Sequence, residues 1–143
     1  MAMHVRSPAD ALDVLRRYLI DGSRPETVII CLDDSAEVVA VVMLEGERAP
    51  DWIAGMENEV LRLIPDGTTA VVFASSGPRG TDDHEVRYAW HRLSEVVADE
   101  GVSSLDWLSI TDSECRSLAT GDLLSPHLVD SAFGGPENLR ERS

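Results

Sequence analysis

The sequence predicts an α/β protein, an α+β sandwich in which helices flank a small mixed sheet. Three observations indicate this class. Four apolar runs of strand length and three stretches of helical periodicity follow one another in the order α-β-β-α-β-α-β. Two of the strand runs are adjacent, which suits an antiparallel pair, and the others alternate with helices. With 143 residues, of which 43% are hydrophobic, the chain can build one domain with its own core.

The first helix is predicted to begin at Ser7, a good N-cap residue. Pro8 suits the first helical position, and Asp10 lies in the first turn, where the helix dipole favours a carboxylate. We expect Gly22 to close the helix, because glycine often follows a helix C-terminus. Between these signals, apolar residues recur at helical spacing: Ala11, Leu12, Leu15, Tyr18 and Leu19.

The next two apolar runs predict an antiparallel hairpin. They cover residues 27–32 and 38–44. The residues between them, Asp-Asp-Ser-Ala-Glu, are rich in turn formers. We therefore expect the two strands to be neighbours in the sheet.

The middle of the chain adds a helix and a buried strand. Residues 50–64 place apolar side chains on one helical face, and Pro65-Asp66-Gly67 stops the helix. Residues 69–74 are continuously apolar, which predicts a strand covered on both faces. A loop of Ser, Gly, Pro and Arg follows at residues 75–80.

The clearest helical pattern comes after this loop. Asp82 followed by Glu85 resembles a capping box, and Gly101 fits the C-terminal stop. Residues 104–110 then alternate in the manner of a half-buried strand. The apolar stripe of the helix consists of Val86, Ala89, Trp90, Leu93, Val96 and Val97.

These elements predict a single domain at residues 1–118 and a loosely structured tail at residues 119–143, where periodicity is weak. No apolar run reaches the roughly 18–20 residues that cross a bilayer. The N-terminal residues lack the apolar stretch of a signal peptide. We therefore expect a cytoplasmic protein. In that reducing compartment Cys31 and Cys115, which have no CxxC spacing, should be free thiols.

The charge of the chain excludes several functions. There are 12 basic residues against 26 acidic ones, for a net charge of −14. Nucleic-acid binding draws most of its affinity from basic side chains, so we expect no nucleic-acid partner. The lack of a bilayer-spanning apolar run likewise predicts no membrane partner. All 12 basic residues are arginines. The absence of lysine excludes Schiff-base chemistry and a P-loop lysine.

Several segments together resemble the JAB/MPN-type domain of the RadC family, over residues 6–118. Ser7-Pro8-Ala9-Asp10 resembles the family's Ser-Pro-x-Asp helix start. Leu32-Asp33-Asp34 and Val39-Ala40-Val41 resemble its Leu-Asp and Ile-Ala-Val stretches. The segment Ala74-Ser75-Ser76-Gly77-Pro78-Arg79-Gly80 stands where the family has Ala-His-Asn-His-Pro-Ser-Gly. The stretch from Gly101 to Leu108 resembles its Gly-Ile-x-Leu-Leu-Asp-His-Leu.

The resemblance implies a zinc hydrolase whose site has been lost. In the family, two histidines and an aspartate hold zinc, a glutamate activates the zinc-bound water, and a serine helps stabilise the oxyanion. Valine and glycine side chains cannot ligate zinc, and serine binds it weakly. We therefore expect no metal, no cofactor and no inherited catalytic residue. The corresponding positions here are Val42 for the glutamate, Ser75 and Gly77 for the histidines, Val86 for the aspartate and Asp83 for the serine.

Two other clusters are candidate sites. A metal or acid–base site could have been rebuilt beside the lost one, from Asp82, Asp83, His84 and Asp106. The alternative interpretation is a charged first turn of a helix. A loop that binds a small anion or a nucleotide could be formed by Ser75, Ser76, Gly77, Arg79 and Gly80. The alternative there is an ordinary strand-to-helix connection.

The sequence thus favours a catalytically inactive JAB/MPN-like domain that acts as a protein-interaction or scaffold module. Its partner would be another protein or a second copy of the chain. The competing hypotheses are a metal-dependent hydrolase that uses the acidic turn at residues 82–85, and an anion- or nucleotide-binding module that uses residues 75–80.

Overall fold

The protein is represented by a computed structural model, which describes residues 3–20, 22, 24–45, 57–77, 83–111, 114–121 and 123–124. Its strands form one five-stranded sheet in the order β2-β1-β3-β4-β5. This mixed α/β architecture confirms the predicted fold class. In chain order, the elements are α1 (Pro8–Arg17), β1 (Glu26–Leu32), β2 (Val38–Glu45), α2 (helical residues 57–63), β3 (Ala70–Ser76), α3 (Asp83–Ala98), β4 (Ser103–Ile110) and β5 (Cys115–Ser117).

The sheet is mixed because one of its connections is a crossover. β1 pairs antiparallel with both β2 and β3, so the predicted hairpin is confirmed. β3 and β4 are parallel, and α3 is the crossover that parallel neighbours require. β4 then pairs antiparallel with β5. All seven residues of β1 are buried, as are the five central residues of β3, which agrees with the continuous apolar runs in the sequence.

Helices cover both faces of the sheet and divide the core in two. On one face, α1 packs Leu12 and Leu15 against Ile30 and Leu108. On the other face, the apolar stripe of α3 packs against the inner strands, together with Val60 of α2. Two polar contacts fix α3 in place. The Trp90 indole Nε1 donates to Ser104 Oγ of β4 at 2.7 Å, and Arg92 Nη2 donates to Glu57 Oε2 of α2 at 2.7 Å. The helix α2 confirms part of the helix predicted over residues 50–64, and residues 50–56 lie outside the described part of the chain.

The two ends of α1 differ in how well the sequence predicted them. Ser7 is the N-cap as expected, and its hydroxyl accepts a hydrogen bond from Asp10 N–H at 3.1 Å. The prediction that Gly22 closes the helix is wrong. Leu19 takes the left-handed conformation, with φ of 62°, and donates to Arg16 O, while Ile20 N–H donates to Leu15 O. These bonds form a Schellman motif with leucine in the position that glycine usually occupies.

The hairpin between β1 and β2 is closed by Asp33 and bordered by the N-terminal residues. Asp33 Oδ1 accepts hydrogen bonds from the Ser35 hydroxyl at 2.7 Å, from Glu37 N–H at 3.0 Å and from Ser35 N–H at 2.9 Å. These bonds lower the pKa of the Asp33 carboxyl below its usual value.

Residues 3–5 run antiparallel to the start of β2: Val38 N–H donates to Met3 O, and Val5 N–H donates to Ala36 O.

The described fold continues for a few residues past residue 118, and the predicted division at residues 1–118 and 119–143 stays a prediction. The sequence did not predict β5, a strand of three residues. Beyond it, Leu123 forms a β-bridge with Arg116, and Leu124 packs against the core on the α1 side. Residues 125–143 of the predicted tail lie outside the described residues.

Replacing Leu19 by glycine should stabilise the protein. The Leu19 side chain is 77% exposed, so little burial is lost, and glycine relieves the steric cost of a positive φ. We expect the free energy of unfolding to rise by about 0.5–1 kcal/mol, measured by urea denaturation. As a control, Arg17→Gly lies within α1 and should lower the free energy of unfolding by about as much. Equal destabilisation by both substitutions would show that the backbone at Leu19 holds no strain that glycine can relieve.

Candidate functional site

The region that the resemblance designates lies between β2, the end of β3 and the start of α3. Two of its positions are occupied by apolar side chains that belong to the core. Val86 of α3 is fully buried, and Val42 of β2 is half-buried and packs against the same cluster. A side chain of this type has no atom that can bind a metal ion. These two positions therefore contribute packing to the fold.

Ser75, at one of the expected histidine positions, is part of the packing of β3 against β4. Its Oγ accepts a hydrogen bond from the Trp107 indole Nε1 at 2.9 Å, and both residues are buried. Trp107 also stacks on Phe73, with a distance of 5.4 Å between ring centroids. A buried indole N–H without an acceptor would be costly. The hydroxyl of Ser75 therefore completes the packing of the core by accepting this hydrogen bond.

The rest of the proposed anion-binding loop is engaged with the sheet where the structure describes it. Ser76 Oγ donates to Arg24 O at 3.1 Å. Gly77 N–H donates to Ile110 O at 3.1 Å and so extends the pairing of β3 with β4. These donors are directed at backbone carbonyls. Pro78, Arg79 and Gly80 lie outside the described residues, so the proposal for that half of the loop stays a prediction.

The four candidate residues of the acidic site are not brought together in the described structure. His84 is exposed on the first turn of α3. Asp106 lies on the opposite face of the sheet, because it pairs with Val72, whose side chain packs on the α1 side. Asp83 is the first residue of α3, and Asp82 lies outside the described residues. His84 and Asp106 therefore face different layers of the sandwich.

Asp106 itself is a buried carboxylate with three hydrogen-bond donors. Oδ2 accepts from the Ser117 hydroxyl at 2.6 Å, and Oδ1 accepts from Ala119 N–H at 2.9 Å and Trp107 N–H at 2.7 Å. Ser117 Oγ in turn accepts from Thr120 N–H at 3.3 Å. A buried carboxylate needs such donors. Asp106 thus fastens β4 to β5 and to the turn that follows it.

A bulge in β4 directs Asp106 into this position. Two consecutive residues of β3, Val71 and Val72, pair with Ser104 and Asp106, so Leu105 is the extra residue. A cavity of about 260 Å³ lies beside it, at the start of α1. Its lining combines Asp106 with mainly apolar residues, among them Val5, Pro8, Ala11, Val72 and Leu105. The bulge could not be recognised in the sequence, because one inserted residue hardly disturbs the hydrophobic pattern of the strand.

The side chains in the designated region do not fit zinc. A catalytic zinc site needs three protein ligands with nitrogen, sulfur or carboxylate donors. Four of the five corresponding positions present two valines, a glycine and a serine whose oxygen accepts from an indole, and the fifth, Asp83, supplies a single carboxylate. Among the residues that the structure describes, no group of three or more His, Cys, Asp or Glu side chains is placed to hold a metal ion.

Both cysteines are buried and free, as the sequence predicted. Burial raises the pKa of the Cys31 thiol to about 11. Burial, together with the negative charges of Asp106 and Glu114, raises the pKa of the Cys115 thiol to about 12. A protonated, inaccessible thiol is a poor nucleophile. The two cysteines therefore act as apolar core residues.

The outer edge of β2 is a feature that the sequence motifs did not reveal. Residues 38–44 are seven consecutive apolar residues, and every one of them remains at least partly exposed. β2 forms one edge of the described sheet. The sequence shows residues 38–44 as an apolar run of the length typical of a buried strand. The hydrophobic pattern does not reveal, however, which strands lie at an edge of the sheet.

The backbone of β2 also presents hydrogen-bonding groups away from the sheet. Leu32 O accepts from Thr69 N–H, so Leu32 faces β3. Successive residues of a strand face opposite sides in the plane of the sheet, so Cys31 and Ile29 face β2 and bond to their partners Ala40 and Val42. The residues that follow those partners, Val41 and Met43, direct their N–H and C=O groups outward.

Comparison with known proteins adds no family assignment: no protein-family model matches the chain, and no curated protein matches its sequence. In the described part of the chain, every helix is too short or too polar to cross a membrane.

Replacing Asp106 should test its role in holding β4 and β5 together. Asp106→Ala removes the two oxygens that accept three hydrogen bonds and leaves their donors without these acceptors, so we expect the free energy of unfolding to fall by about 2–4 kcal/mol. Asp106→Asn keeps one oxygen and should cost about half as much. Urea denaturation measures both, with the exposed Asp99→Ala as the control. A loss below about 0.5 kcal/mol in Asp106→Ala would contradict the assignment.

The poor fit to zinc predicts that the protein holds no metal stoichiometrically. Protein purified without a metal-affinity tag should contain far less than one zinc or manganese ion per chain in elemental analysis. Adding zinc should also leave the melting temperature unchanged, because a ligand that binds only the folded state would raise it. One tightly held metal ion per chain would show that the described positions are not the whole metal site.

Proposed function

We propose that this protein is a catalytically inactive domain of the JAB/MPN type that acts by binding another protein. The observation that carries the proposal is the edge strand β2, with seven consecutive apolar residues that are all partly exposed. Protein sheets usually protect such an edge with lysine, proline, a bulge or a covering element. In the described part of the chain, a bulge at Val38–Val39 and the pairing of residues 3–5 both lie at the start of β2, and residues 40–45 pair with β1 in regular register. Residues 38–44 contain no charged residue and no proline.

The inactive part of the proposal is supported by what replaces the catalytic residues. Val86 belongs to the buried core, the half-buried Val42 packs against it, and Ser75 Oγ accepts a hydrogen bond from the Trp107 indole N–H. Restoring a zinc site would require removing apolar side chains from a packed cluster and leaving the Trp107 N–H without its acceptor. The side chains of this region therefore stabilise the fold. This supports a domain that binds another protein and does not catalyse a reaction.

The binding mode that fits an exposed edge is strand addition, in which an extended segment continues the sheet. The protein already shows this mode with its own chain. Residues 3–5 pair with the first residues of β2, and the outward N–H of Val38 is taken by Met3 O. The outward groups of Val41 and Met43 lie farther along the same edge. A partner segment would follow the N-terminal residues along β2.

Met43 offers a substitution that removes one outward donor and leaves the fold intact. Its N–H points away from β1 and its side chain is exposed, so Met43→Pro costs no bond within the sheet. The matched control Met43→Thr keeps the N–H and suits a strand. In a selection of random extended octapeptides displayed on phage, the wild type and Met43→Thr should enrich binding peptides, and Met43→Pro should not.

Two outcomes of this selection would contradict the proposed function. If the wild type enriches no peptide, the edge does not accept an added strand. If Met43→Pro enriches the same peptides as Met43→Thr, the peptides bind elsewhere on the surface. Circular dichroism and the melting temperature of both variants establish that each is folded before the selection is interpreted.

A further inference from the structure

We infer that the segment which β2 accepts is an extended apolar stretch flanked by arginine or lysine residues. This inference rests on the proposed function and adds the chemical class of the partner. Strand addition supplies affinity through backbone hydrogen bonds and gives little selectivity of its own, so side-chain contacts and charge select the partner. The charges at the two ends of β2 are therefore the features to examine.

Acidic residues flank this edge in the sequence. Asp33, Asp34 and Glu37 precede the apolar run and Glu45 and Glu47 follow it, and the first basic residues on either side are Arg24 and Arg48. The loop that leads into β2 contains two of them, Asp33 and Asp34, and Glu37 directly precedes the strand. Glu45 is the last residue of the strand. Both ends of the apolar run thus carry negative charge.

Within the described residues, two basic side chains lie near acidic residues at the two ends of β2. Arg24 Nη2 lies 3.8 Å from Glu26 Oε2, and His4 Nε2 lies 4.0 Å from Glu37 Oε1. The Glu37 side chain is 43% exposed, so a basic residue of a partner can approach it from solvent.

The dimensions of the edge define the length of the segment. β2 has eight residues, and Met3 already occupies the outward N–H of Val38. The remaining length spans roughly 20 Å at about 3.3 Å per residue. An apolar core of about six residues with basic residues on each side therefore matches the run and places a positive charge near each acidic end.

Charge also argues against a second copy as the occupant. Each chain carries a net charge of −14. Antiparallel pairing of two β2 strands would bring the end with Glu37 in one copy next to the end with Glu45 in the other. Like charges that face each other across paired strands are destabilising. A segment with basic residues at its two ends would instead be attracted to the acidic residues at both ends of β2.

Two synthetic peptides test the inference directly. Each has a core of alternating valine and threonine, and the flanks are arginine in one and glutamate in the other. In fluorescence anisotropy at low salt, we expect the arginine-flanked peptide to bind at least about 10-fold more tightly. The ratio should fall toward one at high salt, because salt screens exposed charges. Glu37→Gln should weaken the arginine-flanked peptide selectively, whereas Glu95→Gln on the exposed side of α3 should not.

The outcomes separate this inference from the proposed function. If both peptides bind equally and Met43→Pro abolishes both, strand addition stands and the basic partner is wrong. If neither peptide binds the folded wild-type protein, strand addition at β2 fails and both proposals fall. If sedimentation shows a dimer that Met43→Pro dissociates, the occupant is a second copy, and the inference of a basic partner is overturned.

Discussion

The burial of β1 on both faces is the constraint on which the rest of the structure depends. A strand whose seven residues are all buried cannot fold with one helical layer, because half of its side chains would face water. One layer is supplied by α1 and the other by α2 and α3. The crossover through α3 places β4 parallel to β3, and the carboxylate of Asp106 then attaches β5 to β4. Each addition extends the sheet away from β1 on the same side.

The fold class and most elements could be predicted from the sequence, because they depend on local patterns. Apolar runs and helical stripes encode the strands and helices, and Ser7 encodes the start of α1 through a single side chain. The end of α1 could not be predicted, because Leu19 adopts a conformation that its residue type disfavours. β5 could not be predicted either. A strand of three residues is too short to show an alternating hydrophobic pattern, and β5 is held in the sheet by a hydrogen bond to the carboxylate of Asp106, which lies on another strand.

The candidate sites show a related limit. The resemblance drew attention to positions 42, 75, 77, 83 and 86, and at 42, 75, 77 and 86 the structure gives a role in packing or pairing. Sequence spacing placed Asp106 near His84, although a sheet separates them. Facing direction in a strand depends on register, and the bulge at Leu105 changes that register. The edge position of β2 depends on the order of strands, which no local pattern contains.

The exposed apolar edge of β2 also has a consequence for colloidal behaviour. A strand without lysine or proline is open to edge-to-edge association, and the chain contains no lysine at all. In neutral solution, the repulsion between molecules that each carry a net charge of −14 opposes such association. That protection is global rather than local, and it vanishes as the pH approaches the isoelectric point near 4.4. In this protein the opposition to edge-to-edge association therefore comes from the total charge, whereas other sheets have a lysine or a proline on the edge strand itself.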